Sequence, residues 1–134
     1  MTTPVLLVVA AALFDDQGRI LLAQRPEGKA LAGLWEFPGG KLEPGETPEA
    51  ALARELQEEL TLKVNETSLT PLTFASFTYP QFHLLMPLYG CTSWSGPIRP
   101  REGQAIAWVE TSRLKDYPAP PADLPLFDWL ASRT

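Results

Sequence analysis

The segment that most constrains the fold is 49–60, which contains no glycine or proline in a chain with 9 glycines and 14 prolines. Thr47 and Pro48 precede it as an N-cap residue and a first-turn proline, and good helix formers follow them. We therefore predict a helix that begins at Pro48 and ends near residue 60. Four apolar residues share one face of it and should pack on a sheet: Leu52, Ala53, Leu56 and Leu60.

Strand-like segments lie before and after this helix. Residues 5–13 form an apolar run that ends at a turn-forming cluster, 14–18, before residues 19–23 resume it. This pattern predicts a hairpin whose first strand is buried on both faces. Three later segments predict further strands: 67–78, 82–89 and 104–109. Pro71 and Pro87 indicate sheet edges or bulges, because proline cannot donate to a strand ladder.

The remaining segments predict loops and one short helix. Residues 25–45 are rich in proline, glycine and charge, and they contain a short apolar stretch, 34–37, that predicts a small strand. A loop of that length with embedded aromatic residues is typical of a functional site. An irregular proline-rich stretch precedes a predicted C-terminal helix at 126–132. Nothing marks a second domain, so we expect one domain over 1–134.

Composition excludes several classes of protein. Apolar residues make up 45% of the 134 residues and charged residues 20%, which is typical of a globular domain rather than a disordered chain. The net charge of -5 argues against binding to a nucleic acid polymer. With Cys91 as the only cysteine and His83 as the only histidine, no Cys/His zinc set can form. Because the longest apolar run is too short to span a membrane and has no basic flank, we expect a cytoplasmic protein.

Three carboxylates lie close together on the predicted helix. At 3.6 residues per turn, Glu55, Glu58 and Glu59 fall within an arc of roughly 100° beside the apolar stripe. Like charges at these spacings destabilise an isolated helix by about 0.2–0.5 kcal/mol per pair. A bare pattern of this kind is most often a solvated acidic face, but a bound divalent cation would turn the repulsion into attraction.

The residues around these carboxylates resemble the Nudix box, G-x5-E-x7-R-E-U-x-E-E-x-G-U, in which U is a bulky aliphatic residue. The matching positions are Gly40, Glu46, Arg54, Glu55, Leu56, Glu58, Glu59 and Leu62. One position departs from it, because Thr61 stands where the family usually has glycine. Glycine there relaxes a left-handed exit from the helix, so we expect a cost in stability without loss of a ligand.

The resemblance implies an α/β fold, an α/β/α sandwich with a mixed sheet between helices. It implies that Glu55, Glu58 and Glu59 bind Mg²⁺, which Mn²⁺ could replace, with help from the backbone carbonyl of Gly39. It also implies that three residues are structural: Gly40, Glu46 and Arg54. Oxygen ligands of this kind suit a cation that bridges phosphates and activates water.

Four features lie beyond the box: Arg25 at the end of the second strand, the stretch 34–41, the segment 102–104 and the stretch 120–123. With them the chain is similar to the MutT-like subgroup, which cleaves nucleoside triphosphates to monophosphate and pyrophosphate. This implies a substrate-binding set of Arg25, Glu36, Phe37, Pro38, Gly39 and Asp123. It also implies that Glu102 is a further carboxylate near the metals, so the catalytic set becomes Glu55, Glu58, Glu59 and Glu102. The general base is either Glu102 or Glu55. The implied role is removal of oxidised nucleotides such as 8-oxo-dGTP, a DNA-repair function.

Asp123 leaves the preferred base open. Related enzymes that act on oxidised guanine often carry asparagine here, whereas an ionised aspartate offers only acceptors and suits an amino-bearing edge such as that of cytosine. CTP-like or 5-methyl-dCTP-like substrates are therefore an alternative. Asp123 could equally cap the final helix. A non-catalytic nucleotide sensor is the alternative from another class, and we expect a monomer or weak homodimer.

Overall fold

The computed structural model describes residues 3–133 of the chain. Its two α-helices are α1, Pro48–Leu60, and α2, Leu124–Ala131. Its seven strands are β1 Val5–Leu13, β2 Ile20–Gln24, β3 Trp35–Glu36, β4 Gly39–Lys41, β5 Thr70–Thr78, β6 His83–Cys91 and β7 Ile106–Val109. Short 3-10 helices cover Glu66–Ser68, Thr111–Asp116 and Pro121–Asp123.

The strands form two sheets, ordered β4-β1-β6-β5 and β3-β2-β7. The first sheet is mixed, because β1 runs parallel to β6 and antiparallel to β4. The register between β5 and β6 shifts between Pro71 and Thr73, which confirms the predicted bulge at Pro71. The edge predicted at Pro87 is wrong, since β6 lies between β1 and β5. The ladder between β1 and β6 skips Pro87, which has no N–H to donate.

Helices cover both faces of the sheets, which confirms the α/β/α sandwich. Val9, Ala11 and Leu13 of β1 pack with α1 in one apolar cluster, whereas Ala10 and Ala12 belong to a second cluster with α2. Burial of β1 on both faces is therefore confirmed for its second half. The first half is partly exposed, with 61% of Val5 accessible to solvent.

The helix prediction was correct for α1 and less so elsewhere. Ala51 rather than Ala53 is buried on the inner face of α1. Helix α2 begins at Leu124, two residues before the predicted start, and ends at Ala131. A 3-10 turn occupies the predicted beginning of β5, so that strand begins at Thr70.

The strand boundaries also differ from the predicted ones. The predicted hairpin forms a turn, but its strands pair only at the bridge between Phe14 and Ile20 and then enter different sheets. Strand β6 extends to Cys91, and β7 begins at Ile106 rather than at residue 104. Within residues 3–133, no helix is both long and apolar enough to cross a membrane.

Candidate active site

Helix α1 is fixed at both ends by its own sequence. At the start, the Thr47 side chain accepts a hydrogen bond from the Ala50 amide at 3.1 Å, as an N-cap residue does. At the end, Thr61 adopts a left-handed conformation with φ of 62°, which the box pattern predicts for glycine. The Thr61 hydroxyl donates to the Pro97 carbonyl at 3.0 Å and so offsets part of the cost of that conformation.

Arg54 ties α1 to the loop that precedes it. Its guanidinium donates twice to Glu46, at 2.7 and 2.8 Å, and once to the Lys41 carbonyl at 3.1 Å. The hydrogen bonds from Arg54 hold the pKa of the Glu46 carboxyl at about 2, well below its usual value. This contact joins β4, the loop and the helix, which is the geometry expected of a structural pair.

Glu55 and Glu59 approach each other beside the Gly39–Gly40 turn. The two carboxyl groups are within hydrogen-bonding distance, and Glu59 also accepts from the Gly39 amide at 3.4 Å. Burial, with the nearby charge of Glu55, raises the pKa of Glu59 to about 8, and burial raises the pKa of Glu55. A Cβ on Gly40 would lie 2.6 Å from the Glu55 carboxyl oxygens, so only glycine leaves room for this pair.

Glu58 does not join that pair. Its side chain is 59% exposed, and its carboxylate lies 3.3 Å from Arg54 Nη1. Among the described residues, no group of three or more acidic, histidine or cysteine side chains is placed to hold a metal ion. Of the three carboxylates predicted to face one place, Glu55 and Glu59 converge, whereas Glu55 and Glu58 both contact Arg54 Nη1, at 3.0 and 3.3 Å. The ligand role of Glu58 stays a prediction.

A cavity of about 380 Å³ opens beside Glu59. Its walls include eight predicted site residues: Arg25, Glu36, Phe37, Pro38, Gly39, Glu59, Glu102 and Asp123. The sequence analysis missed five polar or flexible wall residues: Gln24, Lys29, Lys41, Met86 and Gln104. The cavity brings together residues from strands, loops and the start of α2 that are far apart in the chain.

Arg25 is held by protein acceptors. Its Nε donates to the Ala30 carbonyl at 2.8 Å, and its Nη1 lies 2.9 Å from Glu36 Oε2. Burial raises the pKa of Glu36 although the charge of Arg25 opposes it. These contacts brace the loop between β2 and β3 against the cavity wall.

Asp123 is an acidic side chain inside the cavity wall and is only 5% exposed. It occupies the N-cap position of α2 but makes no capping hydrogen bond, so the predicted capping role is wrong. Its carboxyl instead faces the Phe37 amide at 3.4 Å. Burial, with the nearby charge of Glu36, raises the pKa of Asp123 to about 7. The group therefore changes its hydrogen-bonding character near neutral pH.

Glu102 lies on a loop that is fastened to the end of α1. The Arg99 amide donates to the Leu60 carbonyl and the Arg101 amide to the Glu59 carbonyl, each at 2.9 Å. These bonds use carbonyls that the end of a helix leaves free and place Glu102 on the same cavity as Glu59. The Glu102 carboxylate is 3.5 Å from the ammonium of Lys29.

Other reactive or aromatic residues have structural surroundings. Both ring nitrogens of His83 lie 2.7 Å from a hydroxyl, one of Ser76 and one of Thr78. Cys91 is a buried free thiol that donates to the Ser93 carbonyl. Phe37 is buried and packs edge-on against Phe127 with ring centroids 5.3 Å apart, so its ring supports the cavity wall.

The converging carboxylates fit a divalent cation. Glu55 and Glu59 supply oxygen donors only, and their like charges repel when both are ionised. Hard cations such as Mg²⁺ and Mn²⁺ prefer such donors and usually keep other positions for water and phosphate. The space that Gly40 leaves beside them would be filled by any larger side chain.

Two relatives with named activities match nearly the whole chain. The chain is 36% identical to the CTP pyrophosphohydrolase of Escherichia coli K12 over 133 residues, which covers 92% of this chain and 90% of that protein. It is 37% identical to the 8-oxo-dGTP diphosphatase of Haemophilus influenzae over 134 residues, which covers 100% and 97% of the two chains.

Solved structures show the same fold. The E. coli ORF135 protein superposes with a TM-score of 0.84 at 34% identity, covering 98% of this chain and 93% of that one. A MutT structure from a study of Aliivibrio salmonicida and Vibrio cholerae superposes with a TM-score of 0.82 at 31% identity, covering 97% and 99%. The family model described as the NUDIX domain matches residues 9–129. The chain therefore belongs to the NUDIX domain family.

Proposed function

We propose that this protein hydrolyses an oxidised or modified nucleoside triphosphate to nucleoside monophosphate and pyrophosphate with the help of Mg²⁺, or of Mn²⁺ in its place. The observation that carries the proposal is that Glu59, whose carboxyl converges with that of Glu55, lines a cavity that also contains the buried carboxyl of Asp123. Such a cavity offers a cation site for the phosphates and a polar group for the base. The names of the relatives, one acting on CTP and one on 8-oxo-dGTP, support this reaction class.

The protein groups divide into those that hold the phosphates and those that hold the base. Glu55 and Glu59, with Glu58, Glu102 and the Gly39 carbonyl, would hold the cation, which supplies charge neutralisation at the phosphates and activation of water. Water attacks the β-phosphorus, the bond from that phosphorus to the bridging oxygen breaks, and the monophosphate leaves with that oxygen. Glu55 or Glu102 accepts the proton of the attacking water.

Arg54 would position this site in two ways, through its contact with Glu46 and through its hydrogen bond to Glu55 at 3.0 Å. The Arg54–Glu46 contact holds the loop and the Gly39–Gly40 turn against α1 and so keeps the backbone close to the Glu55 and Glu59 carboxyls. Because the turn packs directly against the Glu55 carboxyl, loss of the Arg54–Glu46 contact should reduce turnover without removing a metal ligand.

Asp123 would select the base, with Glu36, Phe37 and Pro38 forming the wall around it. As an ionised group it accepts from an amino-bearing edge, and as a neutral acid it also donates. Its pKa of about 7 makes both forms available, so two substrate classes follow: 8-oxoguanine nucleotides, and cytosine nucleotides such as CTP or 5-methyl-dCTP.

The test is a comparison of kcat/KM for 8-oxo-dGTP, dGTP, CTP and 5-methyl-dCTP with Mg²⁺, measured by release of pyrophosphate and monophosphate. We expect hydrolysis of at least one of them, and a change of preference in Asp123→Asn. Asp128→Asn, an exposed aspartate on α2 outside the cavity wall, is the matched control and should keep the wild-type preference. Release of pyrophosphate from none of the four would favour the nucleotide sensor instead.

We propose the cytoplasm as the location, where nucleotide pools are found.

A further inference from the structure

The loop between β2 and β3, residues 25–34, is braced by its own hydrogen bonds. The Arg25 amide donates to the Leu34 carbonyl at 2.8 Å, and the Gly33 amide donates back to the Arg25 carbonyl at 3.0 Å. The Gln24 side chain also donates to the Gly33 carbonyl at 3.1 Å. The loop is therefore held in one arrangement at the cavity, although its tip is exposed.

Three cationic side chains contribute to the cavity wall: Arg25, Lys29 and Lys41. Arg25 already donates from Nε and Nη1 to protein acceptors, and its partner Glu36 is partly buried. Nη2 is the nitrogen left to contact a phosphate, because turning Nη1 onto one would leave Glu36 without its cation, which is costly when the group is shielded from water. Arg25 therefore braces the loop and keeps one nitrogen, Nη2, for a substrate phosphate.

Lys29 would lose less than Arg25 on binding a phosphate, because its own ion pair is exposed. Its side chain is 57% exposed, and its ammonium lies 3.5 Å from the carboxylate of Glu102, whose side chain is 58% exposed. Exposed ion pairs of this length contribute little to stability, so a more highly charged anion can replace the carboxylate at small cost. The loop that carries Glu102 is hydrogen-bonded to the end of α1 at Glu59. The Lys29 ammonium therefore lies near the cation site before any substrate binds.

We propose that Lys29 is a phosphate-binding residue. Its ammonium pairs with Glu102 in the free protein and exchanges this partner for the triphosphate when the nucleotide binds. Its ammonium contacts the two phosphates that leave as pyrophosphate, and the exchange frees Glu102 to face the cation site. This inference rests on the proposed function, since it assumes that the cavity binds a nucleoside triphosphate. It gives the triphosphate a second cationic contact, because Arg25 uses two of its three nitrogens for protein acceptors.

The test compares binding of triphosphate and monophosphate in Lys29→Met. The probes are the α,β-imido analogues of dGTP and dCTP, which cannot be cleaved between the α and β phosphates, together with dGMP and dCMP, all with Mg²⁺. We expect Kd for the better-bound analogue to rise about tenfold, as loss of one charged contact predicts. Kd for the monophosphates should not change. In the hydrolysis assay KM should rise more than kcat falls, and Lys29→Arg should restore most of the affinity.

Lys115→Met is the matched control, because it removes the same charge from an exposed position outside the cavity wall. It should leave every Kd at the wild-type value. An unchanged Kd for both analogues in Lys29→Met, or equal weakening of triphosphate and monophosphate, overturns the inference while the enzyme still turns over. If the wild-type protein releases no pyrophosphate yet Lys29→Met weakens the analogues alone, the proposed hydrolysis fails and the role of Lys29 stands.

Discussion

Two groups of glutamates on or beside α1 have opposite surroundings. Glu46, on the outside of the loop, is held by Arg54, and its pKa falls to about 2. Glu59, five residues beyond Arg54 and partly buried beside Glu55, has its pKa raised to about 8. The same side chain is thus stabilised as an anion in one place and penalised as an anion in the other. Glu46 therefore contributes to the fold, whereas Glu55 and Glu59 bring negative charge together at a place where a cation can bind.

Replacing Glu59 should give the largest effect. We expect Glu59→Gln to lower turnover about a thousandfold, because the charge at the cation site is lost while the shape is kept. The free energy of unfolding should stay at or above the wild-type value, since a buried carboxyl is removed. Turnover and urea denaturation measure the two effects. Glu110→Gln, at an exposed position, is the control. Normal turnover in Glu59→Gln would remove Glu59 from the site.

Replacing Arg54 should give the reverse pattern. Arg54→Met leaves Glu46, Glu55 and Glu58 without their shared cation and removes the bond to the Lys41 carbonyl. We expect the free energy of unfolding to fall by about 2 kcal/mol, with turnover reduced less than in Glu59→Gln. Arg113→Met breaks only an exposed pair at 3.9 Å and should change stability little. Equal stability of the two variants would contradict the structural role of Arg54.

Asp123 extends the comparison to stability as a function of pH. Its pKa is about 7 in the folded protein and near 3.8 in the unfolded chain, so between these values the folded state binds the extra proton. The free energy of unfolding attributable to this group therefore decreases as pH rises towards 7 and levels off above it. We expect the wild type to lose about 1 kcal/mol more than Asp123→Asn between about pH 6 and about pH 8. Urea denaturation at both pH values measures this. Parallel losses would show that Asp123 ionises normally.

Thr61 should give the smallest effect. Thr61→Gly relieves the left-handed conformation but loses the hydroxyl bond to Pro97, so we expect a net gain in stability of about 0.5 kcal/mol. Thr61→Ala keeps the strained conformation and loses the bond, and it should therefore be less stable than wild type. Thermal unfolding distinguishes the two. Greater stability of Thr61→Ala than of Thr61→Gly would contradict the strain at this position.

Local signals determined what the sequence predicted well. The cap at Thr47 and the missing breakers in 49–60 led to α1. The resemblance to the box implied structural roles for Arg54 and Glu46, which the structure places in contact. These features depend on neighbours within one or two turns. The single domain over 1–134 and the ligand role of Glu58 remain predictions.

Features that depend on distant contacts were beyond the sequence. Asp123 has the residue type and position of a helix cap, but its carboxyl faces Phe37, 86 residues earlier in the chain. The strands around residues 14–18 read as a hairpin, yet each finds a better partner in a different sheet. Lys29 carried no signal at all, because an exposed loop lysine is ordinary until Glu102 is seen opposite it.

The central claim is that Glu55 and Glu59 hold a divalent cation at the cavity, and binding of Mn²⁺ tests it most directly. Electron paramagnetic resonance titration with Mn²⁺ should detect bound Mn²⁺ in the wild type. The titration includes an α,β-imido analogue, of dGTP or of dCTP, whichever binds more tightly. We predict that Glu59→Gln loses most of this binding and that Glu110→Gln keeps it. Equal Mn²⁺ binding in all three proteins would contradict the account.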